Sequence, residues 1–156
     1  MKINRIFYHQ LIHPLLDFLK QGITPEKLAL TLAIGVTLGI IPFIGINTAL
    51  LTLLAVAFRL NLVAIQIVNY AVYALQLVLF IPFLKLGQLI FNGHDIPFSV
   101  REIISLMRED WLATVIDIWQ INMYGLVVWA VLSIPLGIAL YYISLPIFKK
   151  HAKRFL

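Results

Sequence analysis

The chain has 156 residues, of which 62% are hydrophobic and 12% charged, with 12 Lys or Arg against 7 Asp or Glu and no Cys. An average soluble domain is about 45 to 50% apolar and about 25% charged, so this composition excludes an ordinary water-soluble domain. The lack of Cys excludes disulfide frameworks, thiolate nucleophiles and Cys-ligated zinc. Because lipid-exposed backbone must satisfy its own polar groups, we expect one all-α integral membrane domain over residues 1–156.

Residues 1–23 place apolar side chains at roughly helical spacing among two lysines, one arginine and one aspartate. This pattern predicts an amphipathic segment on the cytoplasmic side of the membrane surface. His9 and His13 stand four residues apart, but no Cys or Glu motif accompanies them. We therefore expect no metal site there.

The first long uncharged tract covers 31 residues, from 28 to 58. Thr24 suits an N-cap and Pro25 the first helical position, so a membrane helix is predicted to begin here. As one straight helix the tract would be about 46 Å long, against a hydrocarbon core of about 30 Å. The tract is therefore expected to bend back before it crosses.

The break in this tract is predicted from its residue types. Pro42 lacks a backbone N–H, and Gly39 and Gly45 loosen the chain on either side of it. We predict a broken, re-entrant helical hairpin over about 25–58, with its tip at residues 40–46. Irregular backbone at membrane depth is tolerated only where protein or water covers it.

Two further transmembrane helices are predicted, over about 60–91 and about 120–148, from uncharged tracts of 25 and 31 residues. Between them, Ser99 and Glu102 match a capping box. An apolar stripe follows, which predicts an interfacial amphipathic helix over about 99–117.

Charge placement predicts the orientation of these segments. Residues 1–27 and 149–154 are net basic, whereas residues 91–118 carry a net charge of −3. Basic flanks prefer the cytoplasm, so both termini are expected inside and the 92–117 region outside. The expected topology anchors are Lys27, Arg59, Lys85, Lys149 and Lys150.

The hairpin tip is the candidate substrate-binding site. Half-helix ends within the membrane leave backbone groups unpaired, and transporters use such ends to bind ions or anionic groups. Polar residues of the following tract are included because Asn and Gln in lipid seek hydrogen bonds. The candidate residues are Gly39, Pro42, Gly45, Asn47, Thr48, Asn69 and Gln76. The alternative is a purely structural break, satisfied by polar side chains and water.

Thr31, Gly35 and Gly39 repeat every four positions in a small-xxx-small pattern. Such a stripe lets two membrane helices approach closely. Either helix packing within one chain or a homodimer face explains it.

The sequence offers little for catalysis. It has no Gly-rich phosphate loop and no nucleophile elbow, and every acidic residue lies outside the uncharged tracts. We therefore expect no enzyme activity, no cofactor and no metal. The basic residues flank apolar spans, which favours contact with anionic lipid over nucleic acid.

The motif Gly35-Val-Thr-Leu-Gly39-Ile-Ile-Pro42-Phe-Ile-Gly45, followed by Arg59-Leu-Asn61, resembles a bacterial family called domain of unknown function 2062. The resemblance covers about residues 22–93. It implies a small bacterial inner-membrane protein of unestablished activity. Some members are fused to glycosyltransferase-like domains, which implies a link to envelope or lipid-linked metabolism.

Within the single domain, residues 24–93 are the expected family core. Residues 94–156 are expected to add the outer interfacial helix, the last transmembrane helix and a basic tail.

Two functions are consistent with these expectations. The first is binding or moving a small or lipid-linked substrate at the hairpin, by a homo-oligomer, because one copy would enclose little. The alternative is a non-catalytic membrane scaffold or accessory partner of an envelope or glycolipid biogenesis enzyme. Membrane lipids are expected partners in both cases.

Overall fold

The computed structural model describes residues 23–43, 45–91 and 99–152. Within these ranges the chain forms helices and no strand, which confirms the predicted all-α class. The helices are α1 (Pro25–Gly39), α2 (Asn47–Ala57), α3 (Leu62–Phe91), α4 (Val100–Glu109) and α5 (Trp111–Ala152).

The predicted segment over residues 1–23 lies outside the described residues, except for Ile23. The same holds for His9 and His13 and for the end of the basic tail from residue 153.

Helices α3 and α5 are each long and apolar enough to cross a membrane. They have 30 and 42 residues, with mean hydropathies of 1.9 and 2.1 over their most apolar windows. Only 33% and 6% of those windows are buried within the protein. Soluble monomers rarely expose apolar surface on this scale, whereas such surface suits contact with hydrocarbon.

Helix α1 begins as the sequence predicts. Thr24 is its N-cap, with the backbone N–H of Lys27 donating to Thr24 Oγ1 at 3.3 Å, and Pro25 occupies the first turn. With 15 residues, α1 is about 22 Å long.

Helix α2 runs back along α1. At the far end of α1, the Asn47 side chain contacts Gly39, and at the near end Lys27 Nζ donates to the Arg59 carbonyl at 3.2 Å. Leu51 and Ala55 of α2 pack against apolar side chains of α1 between these ends. The two helices therefore form an antiparallel hairpin whose open ends meet.

Helix α3 runs parallel to α1. Leu28 packs near Ala64 at one end, and Gln76 reaches the Ile41 carbonyl at the other. Gln76 is the fifteenth residue of the 30 in α3. The α1–α2 hairpin therefore ends about halfway along α3.

Helix α5 runs antiparallel to α1 and α3. Phe148 packs against Leu28 near the open end of the hairpin, and Ile121 packs against Leu84 in the second half of α3. The bundle therefore has one end with the hairpin and one end without it.

The structure divides the predicted interfacial helix over 99–117. Helix α4 ends at Glu109, and Asp110 is extended, with φ −147° and ψ 97°. Asp110 Oδ1 accepts from the Ala113 backbone N–H at 3.0 Å, so Asp110 acts as the N-cap of the next helix. The last helix consequently begins at Trp111, nine residues before the expected 120. Ser99 holds the N-cap position of α4, but its side chain makes no capping hydrogen bond.

Candidate site at the hairpin tip

The backbone at the tip leaves regular helix geometry over a few residues. Ile41 N–H donates to the Leu38 carbonyl at 3.2 Å, and Phe43 N–H donates to the Ile41 carbonyl at 2.7 Å. Pro42 lies fully buried in this turn. Gly45 has φ +98°, a left-handed conformation that a side chain would strain.

Two amides close the end of α1. Asn47 Nδ2 donates to the Gly39 carbonyl at 3.0 Å, and Gln76 Nε2 donates to the Ile41 carbonyl at 2.8 Å. Carbonyls in the last turn of a helix lack intrahelical partners, and Asn47 satisfies one of them at Gly39. Gln76 adds a second hydrogen bond to the Ile41 carbonyl, which also accepts from the Phe43 N–H. Asn47 comes from α2 and Gln76 from α3, and both are buried.

A third donor comes from α5. Trp129 Nε1 donates to the Thr37 carbonyl at 2.9 Å, across 92 positions of sequence. The Thr37 hydroxyl also donates a hydrogen bond within α1, to the Ala33 carbonyl at 2.7 Å. The sequence prediction missed Trp129, because an aromatic residue within an apolar tract gives no signal of its partner.

A polar chain extends from the tip along the interface between α2 and α3. Asn69 Nδ2 donates to Gln66 Oε1 at 3.3 Å, and Gln66 Nε2 donates to Thr52 Oγ1 at 3.2 Å. Gln66 Nε2 also lies 3.4 Å from the Thr48 carbonyl. Asn69 itself is 5% exposed, so the chain ends inside the bundle.

One buried acceptor at the tip has no hydrogen-bond partner in the part of the chain that the structure describes. Asn47 is 6% exposed, and its Oδ1 atom is buried without a hydrogen bond among the described residues. Leaving such a group unpaired costs about 1 to 3 kcal/mol. The amide nitrogens of Asn47 and Gln76 are both engaged, so of these two side chains the tip offers an acceptor, Asn47 Oδ1, and no amide donor.

The structure brings together some of the predicted site residues and leaves others apart. A Cβ added at Gly39 would lie 2.4 Å from Val72 Cγ2 and 3.5 Å from Asn69 Oδ1, so Gly39 and Asn69 are neighbours. Gly45 and Thr48 are exposed at the turn. The predicted residues that surround the end of α1 are Gly39, Pro42, Asn47, Asn69 and Gln76.

The stripe of small residues on α1 faces α3 of the same chain. A Cβ at Gly35 would lie 2.7 Å from Val68 Cγ1, and Thr31 is 1% exposed. Since α3 covers this stripe, a second copy has no access to it in this arrangement.

Four of the predicted anchors lie at the open end of the hairpin. Lys27 bonds the Arg59 carbonyl, and Lys149 forms a 3.0 Å salt bridge with Glu26. The hydrogen bond from Lys149 holds the pKa of the Glu26 carboxyl below its ordinary value. Lys150 follows on α5. Lys85 lies instead in the second half of α3.

The described helices define an all-helical protein with two helices long enough to cross a membrane and a shorter hairpin packed against them. A family model described as "Uncharacterized protein conserved in bacteria (DUF2062)" matches residues 9–155. The chain belongs to this family, as the motifs predicted, and the match extends well beyond the expected 22–93. Neither a curated protein nor a solved structure matches the chain.

Proposed function

We propose that this protein is a small multi-pass protein of the bacterial inner membrane, with a re-entrant α1–α2 hairpin whose tip binds or moves a small or lipid-linked substrate. The depth of the tip supports the re-entrant geometry. From Leu62 to Gln76 the rise along α3 is about 21 Å, less than a hydrocarbon core of about 30 Å. The tip would therefore lie within the membrane, and the chain would leave on the side from which it entered.

The basic end of the bundle supports the orientation. Lys27, Arg59, Lys149 and Lys150 lie at the open end of the hairpin, and basic flanks prefer the cytoplasm. With α3 and α5 as the two full crossings, both termini of the chain lie on the cytoplasmic side in this proposal.

The unpaired Asn47 Oδ1 carries the proposal of a binding site. A buried acceptor in a membrane is stabilised by any ligand that donates a hydrogen bond to it. The substrate class is therefore a polar group with an N–H or O–H donor, such as a hydroxyl or an ammonium. The amide nitrogens of Asn47 and Gln76 already bond carbonyls at and beyond the end of α1, so they are not free to hold an anionic group.

The test uses lipid headgroups that differ in donors. Vesicles of phosphatidylcholine containing the protein carry a trace of fluorescent phosphatidylethanolamine, which has an ammonium donor, or fluorescent phosphatidylcholine, which has none. Dithionite bleaching measures the movement of each across the bilayer. We expect faster movement of phosphatidylethanolamine, and loss of this difference in Asn47→Leu and in Pro42→Ala.

Asn122→Leu is the matched control. Its amide bonds the Ile118 carbonyl of its own helix at 2.9 Å, so the same chemical change is made away from the tip. Indistinguishable rates in wild type, Asn47→Leu and protein-free vesicles would overturn the proposal.

The proposal is non-catalytic and includes self-association. Every acidic side chain lies outside the uncharged tracts, so the tip has no proton-transfer group. One copy encloses little, and its small-residue stripe is covered by α3. We therefore place the oligomer contact on another surface, and intersubunit crosslinking of single-cysteine variants along α3 and α5 tests it.

A scaffold or accessory role for an envelope-biogenesis enzyme is the second candidate, and α4 favours it. This helix is amphipathic, with Ile103 packed near α5 but Ile104 and Met107 48% and 41% exposed. Affinity purification of wild type beside Ile104→Glu tests this role. An enzyme recovered with wild type and lost with the variant supports it, and consistent recovery of no partner argues against it.

A further inference from the structure

A groove runs between α1 and α5, on a side of α1 away from the small-residue stripe. Its volume is about 340 Å³, which is within the range of small-ligand sites. The residues that line it are Leu30, Ala33, Ile34, Thr37, Gly137, Ile138, Tyr141 and Tyr142.

The groove stays open because the residues between the two helices are small and the large residues at its edges point outward. Ala33 and Gly137 supply little volume between the two helices. A Cβ at Gly137 would lie 3.3 Å from Thr37 Cγ2, so α1 and α5 meet closely at this deeper end. Ile138 and Tyr142 are 55% and 67% exposed, so they flank the groove instead of closing it.

The floor of the groove suits hydrocarbon. The Thr37 hydroxyl donates within its own helix, to the Ala33 carbonyl at 2.7 Å, and Thr37 presents its methyl group towards Gly137. An apolar floor of this kind offers water few hydrogen-bond partners. In a bilayer, the chain that fills such a groove is an acyl chain.

The mouth of the groove is charged. Glu26 precedes Leu30 by one helical turn, and Lys149 follows Tyr142 by two turns, so each lies on the groove-lining side of its helix. Their side chains form the 3.0 Å salt bridge at the open end. Lys150, the next residue of α5, is exposed and adds positive charge, and the sequence has no acidic residue from 149 to 156 to offset it. Tyrosine rings also favour the headgroup level of a membrane.

We propose that this groove binds one acyl chain of an anionic phospholipid, with the phosphate of the headgroup at Lys149 and Lys150. The apolar floor favours a hydrocarbon acyl chain, and the lysines at the mouth favour a negatively charged headgroup. This site lies between α1 and α5 and does not rest on the function proposed for the tip.

Photocrosslinking in nanodiscs tests the proposal on the full chain. Nanodiscs of phosphatidylcholine contain a small fraction of phosphatidylglycerol with a diazirine on one acyl chain, and adducts are mapped by peptide mass spectrometry. We expect adducts at Ile34, Ile138 and Tyr142 severalfold above those at Val131, an exposed residue of α5 outside the groove. Unlabelled phosphatidylglycerol competes and unlabelled phosphatidylcholine does not.

Two sets of variants divide the site into its parts. Ile138→Trp fills the groove and abolishes the excess labelling, whereas Ile134→Trp, at a residue 66% exposed one turn away, leaves it. Lys149→Gln and Lys150→Gln each lower adduct yield from phosphatidylglycerol by about fivefold, the effect of one lysine near an anionic surface. Arg108→Gln, an exposed cation on α4, is their control.

Three results would overturn the proposal. Labelling of the groove no higher than at Val131 shows that no lipid chain resides there. Equal competition by both lipids shows that the headgroup is not recognised. Crosslinks from Ile138 to another copy of the chain, or to residues 1–22, show that protein occupies the groove.

Discussion

The two turns at the ends of α2 differ in how their backbone groups are hydrogen-bonded. Each must satisfy backbone groups where a helix stops. At the corner between α2 and α3, residues within a few positions supply the hydrogen bonds to backbone N–H groups, and Lys27 of α1 adds one to the Arg59 carbonyl. At the tip between α1 and α2, side chains from three helices supply hydrogen bonds to backbone carbonyls. A polar site is therefore expected at the tip and not at the corner.

The corner is encoded mainly by neighbouring residues. Leu60 N–H donates to the Ala55 carbonyl at 2.8 Å and Arg59 N–H to the Val56 carbonyl at 3.2 Å, which is the Schellman pattern of a helix end. Arg59 takes the left-handed position, with φ 53°. Asn61 Oδ1 then accepts from the Ala64 N–H at 2.8 Å and caps α3.

The tip is encoded by the tertiary structure. Its carbonyls depend on Asn47, Gln76 and Trp129, which are 8, 35 and 92 positions from their acceptors. Helix packing places these side chains, and among the described residues the Asn47 Oδ1 atom has no hydrogen-bond partner. Among the described residues, no buried side-chain acceptor at the corner lacks a partner.

The largest expected effect is at the tip. Gln76→Leu removes the side-chain hydrogen bond to the buried Ile41 carbonyl, which then keeps only the bond from the Phe43 N–H. It should lower the free energy of unfolding by about 1.5 kcal/mol, the upper end for one hydrogen bond. Steric trapping in bicelles measures this. Gln120→Leu is the control, because that exposed amide bonds Tyr124 of its own helix. Equal losses in both variants would show that the tip does not depend on Gln76.

A smaller effect is expected at the corner. Asn61→Ala removes the N-cap of α3 and should cost about 1 kcal/mol, whereas Asn61→Ser keeps a capping oxygen and should cost less. The same unfolding assay compares the two. If alanine and serine give equal losses, Asn61 stabilises the corner by something other than its cap.

Arg59→Gly is expected to stabilise the protein slightly. A side chain in the left-handed region costs roughly 1 to 2 kcal/mol, and the added chain entropy of Gly offsets about 0.5 to 1 of that. Arg59→Ala keeps the Cβ and loses the guanidinium, so it should give no gain. A gain from alanine equal to that from glycine would assign the effect to the guanidinium rather than to the backbone.

The smallest effect concerns the salt bridge of Glu26 with Lys149 beside the corner. Lys149 lowers the pKa of Glu26 in the folded protein, so the stabilisation is present above the ordinary Glu pKa of about 4.3. It is lost as the pH falls through the lowered value. Glu26→Gln should flatten the acid limb of the unfolding profile. Parallel acid limbs in wild type and Glu26→Gln would contradict this.

Features that depend on neighbouring residues could be predicted from the sequence. Thr24 and Pro25 give the start of α1, and the length of the tract with Pro42 gives the break. The end of α4 could also be predicted from the sequence, since Asp110 is a favourable N-cap. The apolar stripe that runs across Asp110 favours one continuous helix instead. The role of Trp129 could not be predicted from the sequence, because its hydrogen-bond partner depends on how α5 crosses α1.

The sequence by itself determined an all-helical chain with long apolar tracts, a proline break and a basic end, because these follow from residue type and spacing along the backbone. Only the tertiary structure decided which carbonyls meet Asn47, Gln76 and Trp129, that α3 covers Gly35, and that a groove remains beside Ala33. These contacts and this groove depend on the distances between helices. Side-chain volume and shape determine those distances only when the helices pack together.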